Sequence, residues 1–252
     1  MSPLVAEAGK AYRLGSHRLV CGDSSDPEVV GRLAAGDRIQ TVLTDPPYGC
    51  AVVESKEGFT GSRSAHARIR NDQLQTGAEY AAFTRSWVAA AKPFLAAKNS
   101  FYVFNSDKMV FSLKEALDAE GLHFGQLLIW VKSQPVIGRL DYLPQHELIA
   151  YGWHGTHAFR KSKDKSVLFC PKPGRSALHP TMKPVSLLRR LILNSTPSGG
   201  WVYDGFGGSG STLLAAEQTG RRCLMAEVEP KYVGVIISRW ESLTGLRAEE
   251  MP

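Results

Sequence analysis

The segment Asp45-Pro46-Pro47-Tyr48 joins a carboxylate, two prolines and an aromatic ring directly after an apolar run, residues 39–43. Each proline fixes its own φ, removes a backbone donor and restricts the preceding residue to extended conformations, so this turn is rigid. It presents a carboxylate, unopposed carbonyls and a stacking ring at a strand end, where open α/β sheets bind ligands. The alternative is a proline-rich turn that is merely capped by the aspartate.

A second segment, residues 204–212, is rich in glycine and lies between a predicted strand and a predicted helix. Gly205, Gly207 and Gly210 satisfy the G-x-G-x-x-G pattern, and Glu227 follows about 20 residues later. This context predicts a nucleoside-cofactor site in which a helix N-terminus offers free N–H groups and Glu227 accepts from the ribose hydroxyls. A dinucleotide site normally opens its domain, whereas one strand and one helix follow here, which predicts a circularly permuted fold.

Alternating strands and helices position these two segments. The pattern predicts strands at 17–21, 39–43, 100–104, 125–131, 147–153, 201–203 and 222–226. It predicts helices at 27–35, 78–97, 107–120, 213–218 and 231–243, and one from Pro184 through Ile192. This order is typical of an α/β fold with a mostly parallel sheet, and the apolar run 125–131 predicts a strand covered on both faces.

Two stretches without periodicity, residues 49–75 and 155–178, carry a basic excess. We interpret them as loops that contact nucleic-acid phosphates, against the alternative of a solvated surface. The candidate phosphate contacts are Lys56, Arg63, Arg68, Arg70, Arg160, Lys161 and Lys163.

Composition limits the class of protein. The 252 residues suit one α/β domain, and 30 Lys and Arg against 24 acidic residues permit a polyanionic partner. The four cysteines are scattered, as in a reduced cytosolic protein, and no apolar run predicts a membrane span or a signal peptide. The histidines match neither H-E-x-x-H nor a zinc finger, so we expect no metal, and we expect His146 and Trp153 in the core or a pocket wall.

The Asp45–Tyr48 segment comes before the 204–210 segment, and this order of motifs resembles that of the β-group amino-methyltransferases. These enzymes methylate exocyclic amines of adenine or cytosine in DNA. Residues 128–132, 145–147, 151–153, 179–184 and 229–245 are similar to the compact phage- and plasmid-type enzymes, so the resemblance covers about residues 12–245. It implies a circularly permuted class I, Rossmann-like methyltransferase fold with a seven-stranded, mostly parallel sheet and flanking helices. It also implies a single domain, 1–252, with a base-pocket half at about 12–154 and a cofactor half at about 179–245.

The resemblance assigns a role to each matched residue. Asp45 and the Pro46 carbonyl would accept the N–H bonds of the target amine, next to Pro47, and Tyr48 would stack on a base flipped from the duplex. S-adenosylmethionine would be the cofactor, with Glu227 at its ribose, Asp23 at its adenine amine, and Thr181 and Lys183 at its carboxylate. The remaining cofactor contacts would be Asp204, Phe206, Gly207, Gly208, Ser209 and Gly210.

We therefore expect a site-specific, S-adenosylmethionine-dependent methyltransferase that acts on adenine N6 in double-stranded DNA in the bacterial or phage-infected cytoplasm. Three alternatives stay open: an N4-cytosine methyltransferase, a nicotinamide-dependent oxidoreductase built on the glycine pattern, and a non-catalytic DNA-binding module. No long insertion provides a target-recognition domain, so that task falls to residues 49–75, 155–178 or the second subunit of a homodimer. Gly205 and Glu229 depart from the family, which usually has proline and aspartate there.

Overall fold

The computed structural model describes residues 6–49, 73, 75–136, 140–161, 163–171 and 182–251. Its strands are β1 (Ala11–Leu14), β2 (His17–Cys21), β3 (Ile39–Thr44), β4 (Leu95–Asn105), β5 (His123–Val131), β6 (His146–Trp153), β7 (Thr156–His157), β8 (Val167–Phe169), β9 (Trp201–Asp204), β10 (Arg222–Glu227) and β11 (Glu249–Met251). Its helices are α1 (Pro27–Ala34), α2 (Gly77–Ala91), α3 (Val110–Ala119), α4 (Val185–Ser195), α5 (Ser211–Gln218) and α6 (Pro230–Thr244), with a 3₁₀ turn, Lys92–Phe94, between α2 and β4.

The strands form one sheet in the order β11-β1-β2-β10-β9-β3-β4-β6-β5-β8, and β7 pairs with β4 outside this path. From β2 to β5 the sheet is parallel, except that β6 is antiparallel to both of its neighbours. This confirms the predicted α/β class and mostly parallel sheet. The sheet is larger than the seven strands expected, because the unpredicted short strands β1, β11 and β8 extend a central group of seven.

Helices cover both faces of the sheet. Successive residues of β4 alternate between two cores, with Phe101 and Val103 in one and Tyr102 and Phe104 in the other, because side chains of a strand point to opposite faces. The first core receives apolar side chains of α1, α2 and α3, and the second receives those of α4, α5 and α6. The chain therefore builds a three-layer α/β/α structure around the sheet.

Parts of the sequence prediction were wrong in detail. The helix expected at 78–97 ends at Ala91, since Pro93 cannot continue it and Leu95 pairs with Ile39 as the first residue of β4. The strand β5 is not covered on both faces, because Leu128 and Trp130 are buried whereas Leu127, which points to the other face, is 37% exposed.

Two aromatic side chains also lie elsewhere than expected. His146 is exposed at the start of β6 rather than in the core. Trp153 is half-buried at the surface, with its ring centroid 4.4 Å from that of His123 and 5.0 Å from that of His157. Both are at the ends of β6, whose middle residues Ile149 and Ala150 are buried.

Parallel strands bring their carboxyl ends to one edge of the sheet, the carboxyl edge, where β2, β3, β9 and β10 all end. The antiparallel strand β6 begins at this edge. Strand β5 is antiparallel to β6 and therefore ends there. Residues that are far apart in sequence therefore meet at this edge. Among the helices of the described ranges, none is both long and apolar enough to span a membrane.

Candidate active site

Asp45 follows β3 at the carboxyl edge, where two side chains hold its carboxylate. The Tyr48 hydroxyl donates to Oδ1 at 2.8 Å, and the Lys183 ammonium donates to Oδ2 at 2.5 Å. Pro46 is buried, and Asp45, Pro47 and Tyr48 are partly exposed. The predicted rigid turn thus presents a fixed carboxylate beside an aromatic ring.

A second carboxylate, that of Glu147, shares the Lys183 ammonium with Asp45. It accepts from Lys183 at 3.2 Å and from Lys132 at 2.8 Å, and its Oε2 lies 3.3 Å from the Tyr48 hydroxyl oxygen. Lys132 directly follows β5 and Glu147 is the second residue of β6, so the ends of two neighbouring strands supply this pair. Lys183 comes from the segment before α4.

Burial and the two ammonium groups act differently on the two carboxyls. Burial raises the pKa of Asp45 above its ordinary value, although Lys183 opposes that rise. Burial would also raise the pKa of Glu147, but Lys183 and Lys132 together lower it to about 2. Glu147 is therefore a permanent anion, whereas Asp45 is the weaker acid of the two.

The glycine segment after β9 forms a closely packed loop that leads into α5. A Cβ at Gly207 would lie 2.9 Å from the Met225 side chain, and Gly210, the N-cap of α5, has φ +78° and lies against Ile236. Gly207 leaves no space for a side chain, and Gly210 needs a backbone conformation that glycine favours. These contacts explain the two glycines by packing against Met225 and Ile236, and the predicted nucleoside site on this loop stays a prediction.

Asp204 links this loop to the turn that contains Asp45. Its Oδ1 accepts from the Thr44 hydroxyl at 2.7 Å and from the Phe206 N–H at 3.1 Å, and Thr212 of α5 also bonds to it. Burial raises its pKa to about 7. Because Thr44 immediately precedes Asp45, one buried carboxyl joins the two segments. In this arrangement Asp204 faces protein groups, and its predicted contact with the cofactor stays a prediction.

Glu227 ends β10 opposite Cys21, the last residue of the paired strand β2, and Asp23 follows two residues later in the turn after β2. Glu227 accepts from the Gly208 N–H at 2.7 Å and from the Glu229 N–H at 2.9 Å, and burial raises its pKa to about 7. Asp23 accepts from the backbone and hydroxyl of Ser25, so it shapes its own turn. Both positions suit a nucleoside that lies across the two strand ends.

Side chains of α2 and α6 contact the rest of the loop and hold it in place. The Phe206 ring packs against Phe83 and Trp87 of α2, with centroids 5.8 and 5.9 Å away. Ser209 is buried, and its carbonyl accepts from Arg239 of α6. The predicted residues of this loop therefore lie together, whereas Thr181, which was also predicted to contact the cofactor, lies outside the described residues.

The predicted phosphate contacts are only partly visible. Lys56, Arg63, Arg68 and Arg70 lie outside the described residues. Arg160, Lys161 and Lys163 are described, and they lie near the C-terminal end of α4, where the Arg160 N–H donates to the Asn194 carbonyl and Asp164 pairs with Arg190. Lys183 lies just before the other end of α4, about 16 Å away by helix length, so the structure does not bring these cations to Asp45.

The roles of Glu147 and Lys132 were not predicted from the sequence. Both residues belong to recognised motifs, but neither was given a function. Their signal was a pair of opposite charges at two strand ends, and only the sheet order makes those strands neighbours. In the described part of the chain, no three side chains among His, Cys, Asp and Glu are grouped to hold a metal ion.

Comparison with known proteins gives a consistent result. A family model described as DNA methylase, of the N6/N4 type, matches residues 39–238. The Type II methyltransferase M2.DpnII of Streptococcus pneumoniae is 24% identical over 228 residues, which cover 82% of this chain and 84% of that protein.

Solved structures show the same fold at low identity. The M1.HpyAVI–SAM complex aligns with a TM-score of 0.65 and 20% identity over 88% of this chain and 98% of its own. The cytosine-N4-specific PvuII DNA methyltransferase aligns with a TM-score of 0.69 and 17% identity over 92% of this chain and 91% of its own.

Proposed function

This chain belongs to the family of S-adenosylmethionine-dependent DNA methylases that modify adenine N6 or cytosine N4, and we propose that its own target is adenine N6. The observation that carries the assignment of the site is the Asp45 carboxylate, which is held at the carboxyl edge and joined to the glycine loop through Thr44 and Asp204. Cytosine N4 is the alternative, because its exocyclic amine presents the same N–H groups.

Asp45 accepts from the target amine. Its carboxylate offers about four lone-pair sites, of which Lys183 and Tyr48 use two, so acceptor capacity remains. With the Pro46 carbonyl as the second acceptor, both amine N–H bonds are held and the nitrogen lone pair is turned toward the methyl donor. Alignment and charge stabilisation then supply the catalysis, without a covalent intermediate.

Tyr48 stacks on the flipped base. Its hydroxyl is fixed by Asp45 at 2.8 Å, so the orientation of the ring depends on the same carboxylate that binds the amine. A base must leave the duplex to reach such a site, and stacking on a fixed ring offsets part of the cost of unstacking. One turn thereby supplies both the acceptor and the platform.

The cofactor site fits the residues present. When bound, S-adenosylmethionine supplies an electrophilic methyl group on a sulfonium. The loop that contains Gly207 and Gly210 leads into the N-terminus of α5 and lines the cofactor, Glu227 accepts from its ribose hydroxyls, and Asp23 faces its adenine amine. Asp204, Phe206, Gly208 and Ser209 shape the loop, and Thr181 and Lys183 are the proposed contacts of its carboxylate.

The family match sets aside the nicotinamide-dependent oxidoreductase and the non-catalytic DNA-binding module. The substrate is DNA, and we extend the proposal to contacts between DNA phosphates and the basic residues of 49–75 and 155–178. We also propose that one domain, 1–252, works in the cytoplasm without a metal and forms a homodimer. The homodimer is supported by edge strand β8, whose Val167 and Phe169 side chains are 39% and 77% exposed.

The test is transfer of radiolabelled methyl groups from S-adenosylmethionine to unmethylated DNA, followed by nucleoside chromatography. We expect label in N6-methyladenine, and label in N4-methylcytosine would correct the base. Asp45→Ala should reduce transfer at least about 100-fold while cofactor affinity stays within a few-fold, because its main role is at the amine.

A matched control is Asp37→Ala, which removes an aspartate that pairs with Arg18 at the opposite edge of the sheet. This variant should retain full transfer. If Asp45→Ala methylates DNA as fast as the control, or if it loses the cofactor instead, Asp45 does not have the proposed role.

A further inference from the structure

Four charged side chains alternate in sign along the carboxyl edge, and we call them the buried charge chain: Asp45, Lys183, Glu147 and Lys132. Successive N–O distances are 2.5, 3.2 and 2.8 Å. The two lysine side chains are only 8% and 4% exposed, and the carboxylates are 24% and 19% exposed. Two positive and two negative charges balance in a nearly closed environment.

Such an arrangement is expensive to build. Removing charged groups from water costs several kcal/mol for each ion, and apolar side chains of similar size often stabilise a protein as well or better. Charged groups with shifted pKa values beside a ligand site are therefore candidates for function. The proposed mechanism uses Asp45 and Tyr48, and it leaves Glu147 and Lys132 without a task.

We propose that Glu147 and Lys132 are positioning residues that hold the Lys183 ammonium between two carboxylates, so that Asp45 keeps a free lone pair for the target amine. This inference rests on the proposed function of Asp45. Neither residue would touch the reacting atoms. Each would act through Lys183 and, for Glu147, also through the Tyr48 hydroxyl 3.3 Å away.

The two residues act on Lys183 in opposite directions. Glu147 exerts a pull on the ammonium as a second acceptor, because Nζ lies 3.2 Å from its Oε2 and 2.5 Å from Asp45 Oδ2, so that the two carboxylates share one cation. Lys132 neutralises the other oxygen of Glu147 and limits that pull. Without Glu147, Lys183 would bind Asp45 more tightly and compete with the amine. Without Lys132, Lys183 would move toward Glu147 and Asp45 would lose its counter-ion.

The experiment compares wild type with Glu147→Gln, Lys132→Met and the double variant. The rate kcat is measured against pH at saturating S-adenosylmethionine and DNA. The charged or titratable groups that face Asp45 are Lys183, Glu147, Tyr48 and Asp204, with Lys132 behind Glu147. We expect Glu147→Gln to lower kcat about 10- to 100-fold, with cofactor affinity within a few-fold of wild type.

The direction of the pH shift is the distinguishing result. Loss of the Glu147 charge should move the acid limb of the kcat profile to lower pH, because an anion beside Asp45 has been removed. Lys132→Met should move the limb to higher pH, and the double variant, which keeps the charge balance, should return it close to wild type. Each single variant has its own predicted direction, so the other single variant still tests the inference if one of them fails to fold.

Glu120→Gln provides the matched control. Glu120 likewise accepts from two cations, Arg85 and Lys92, at 3.1 Å each, but it lies after the C-terminal end of α3, away from the carboxyl edge. Its loss should leave the pH profile unchanged. Shifts in the same direction for both single variants, or no shift, would overturn the inference, whereas an active Asp45→Ala enzyme would overturn the proposed function itself.

Discussion

At the scale of single residues, the cofactor side contains carboxyl groups that resist ionisation. Asp204 and Glu227 are 3% and 7% exposed, and burial raises the pKa of each to about 7. Among the residues that the structure describes, no cation faces either of them to offset the burial, unlike Asp45 and Glu147. Ionising them at neutral pH therefore costs free energy in the cofactor-free protein. A bound ligand that donates hydrogen bonds to these carboxylates would offset part of that cost.

This predicts how the stability of the cofactor-free protein depends on pH. An Asp204 pKa of about 7, against 3.8 for the free group, means that the folded state binds more protons than the unfolded state between these values. The free energy of unfolding should therefore fall as pH rises from about 4 to about 7 and stay lowered above it. Asp204→Asn removes that dependence and should be more stable than wild type at pH 8 by roughly 1–4 kcal/mol.

Denaturant unfolding of wild type and Asp204→Asn at several pH values provides the measurement. The two curves should converge near pH 4, where the carboxyl is protonated. Asparagine keeps an oxygen for Thr44 and the Phe206 N–H, so a large loss of stability at every pH would mean that the ionised carboxylate is needed for the fold.

How much of the site was predictable also depends on the individual residue. Asp45 and Glu227 could be found because each ends a strand inside a recognisable pattern, and parallel strands must bring those ends together. The contacts of Lys183 could not, since it meets Asp45 across 138 residues and comes from a segment whose place depends on α4. The cofactor contact predicted for Lys183 stays a prediction, and the structure shows its ammonium on Asp45 and Glu147.

At the scale of elements, the strands were easier to locate than the boundaries between them. The strand β2 matches its prediction because a short apolar run ends at Gly22-Asp23. The boundary of α2 was missed because Leu95 and two alanines favour a helix locally, whereas pairing with β3 makes them part of β4. Sheet pairing overrides a weak helical preference, and no local pattern reports that pairing.

The turn after β2 and the loop after β9 interlock, which explains the glycine at position 205. A Cβ there would lie 2.9 Å from the Ser24 Cβ and 3.0 Å from the Tyr203 hydroxyl. We predict that Gly205→Ala lowers the free energy of unfolding by about 1–3 kcal/mol. Ser24→Gly should recover part of this loss, because it removes the closest atom, and thermal unfolding of the single and double variants measures the coupling.

Gly234→Ala is the control for this prediction. Gly234 lies inside α6, and no atom of the described residues lies within 4 Å of the position that an alanine Cβ would take, so alanine should stabilise the helix by about 0.5–1 kcal/mol. Equal effects at Gly205 and Gly234 would show that crowding by Ser24 does not decide the choice of glycine.

At the scale of the whole molecule, early and late parts of the chain are interleaved. The late strands β9 and β10 lie between the early strands β2 and β3, and β11 pairs with β1 so that Met251 lies opposite Ala11. We expect the sheet to depend on these strand pairings rather than on where the chain is opened.

A circular permutant tests this independence. Joining Pro252 to Met1 leaves residue 252 and residues 1–10 to link Met251 with Ala11, whose Cα atoms are about 5 Å apart as antiparallel partners. Opening the chain between the exposed residues Ser198 and Gly199, at the edge opposite the carboxyl edge, places β9 first. We expect this protein to fold and to transfer methyl groups within about 10-fold of wild type, because permutation is tolerated where the ends are close.

The same joint with the opening between Gly207 and Gly208 provides the control. That opening cuts the cofactor loop, where the Gly207 N–H donates to Ala226 and the Gly208 N–H donates to Glu227. Binding of S-adenosylmethionine should be lost while circular dichroism still reports an α/β fold. If the permutant opened at 198/199 also fails to fold, then the chain order, and not only the set of pairings, is required to assemble the sheet.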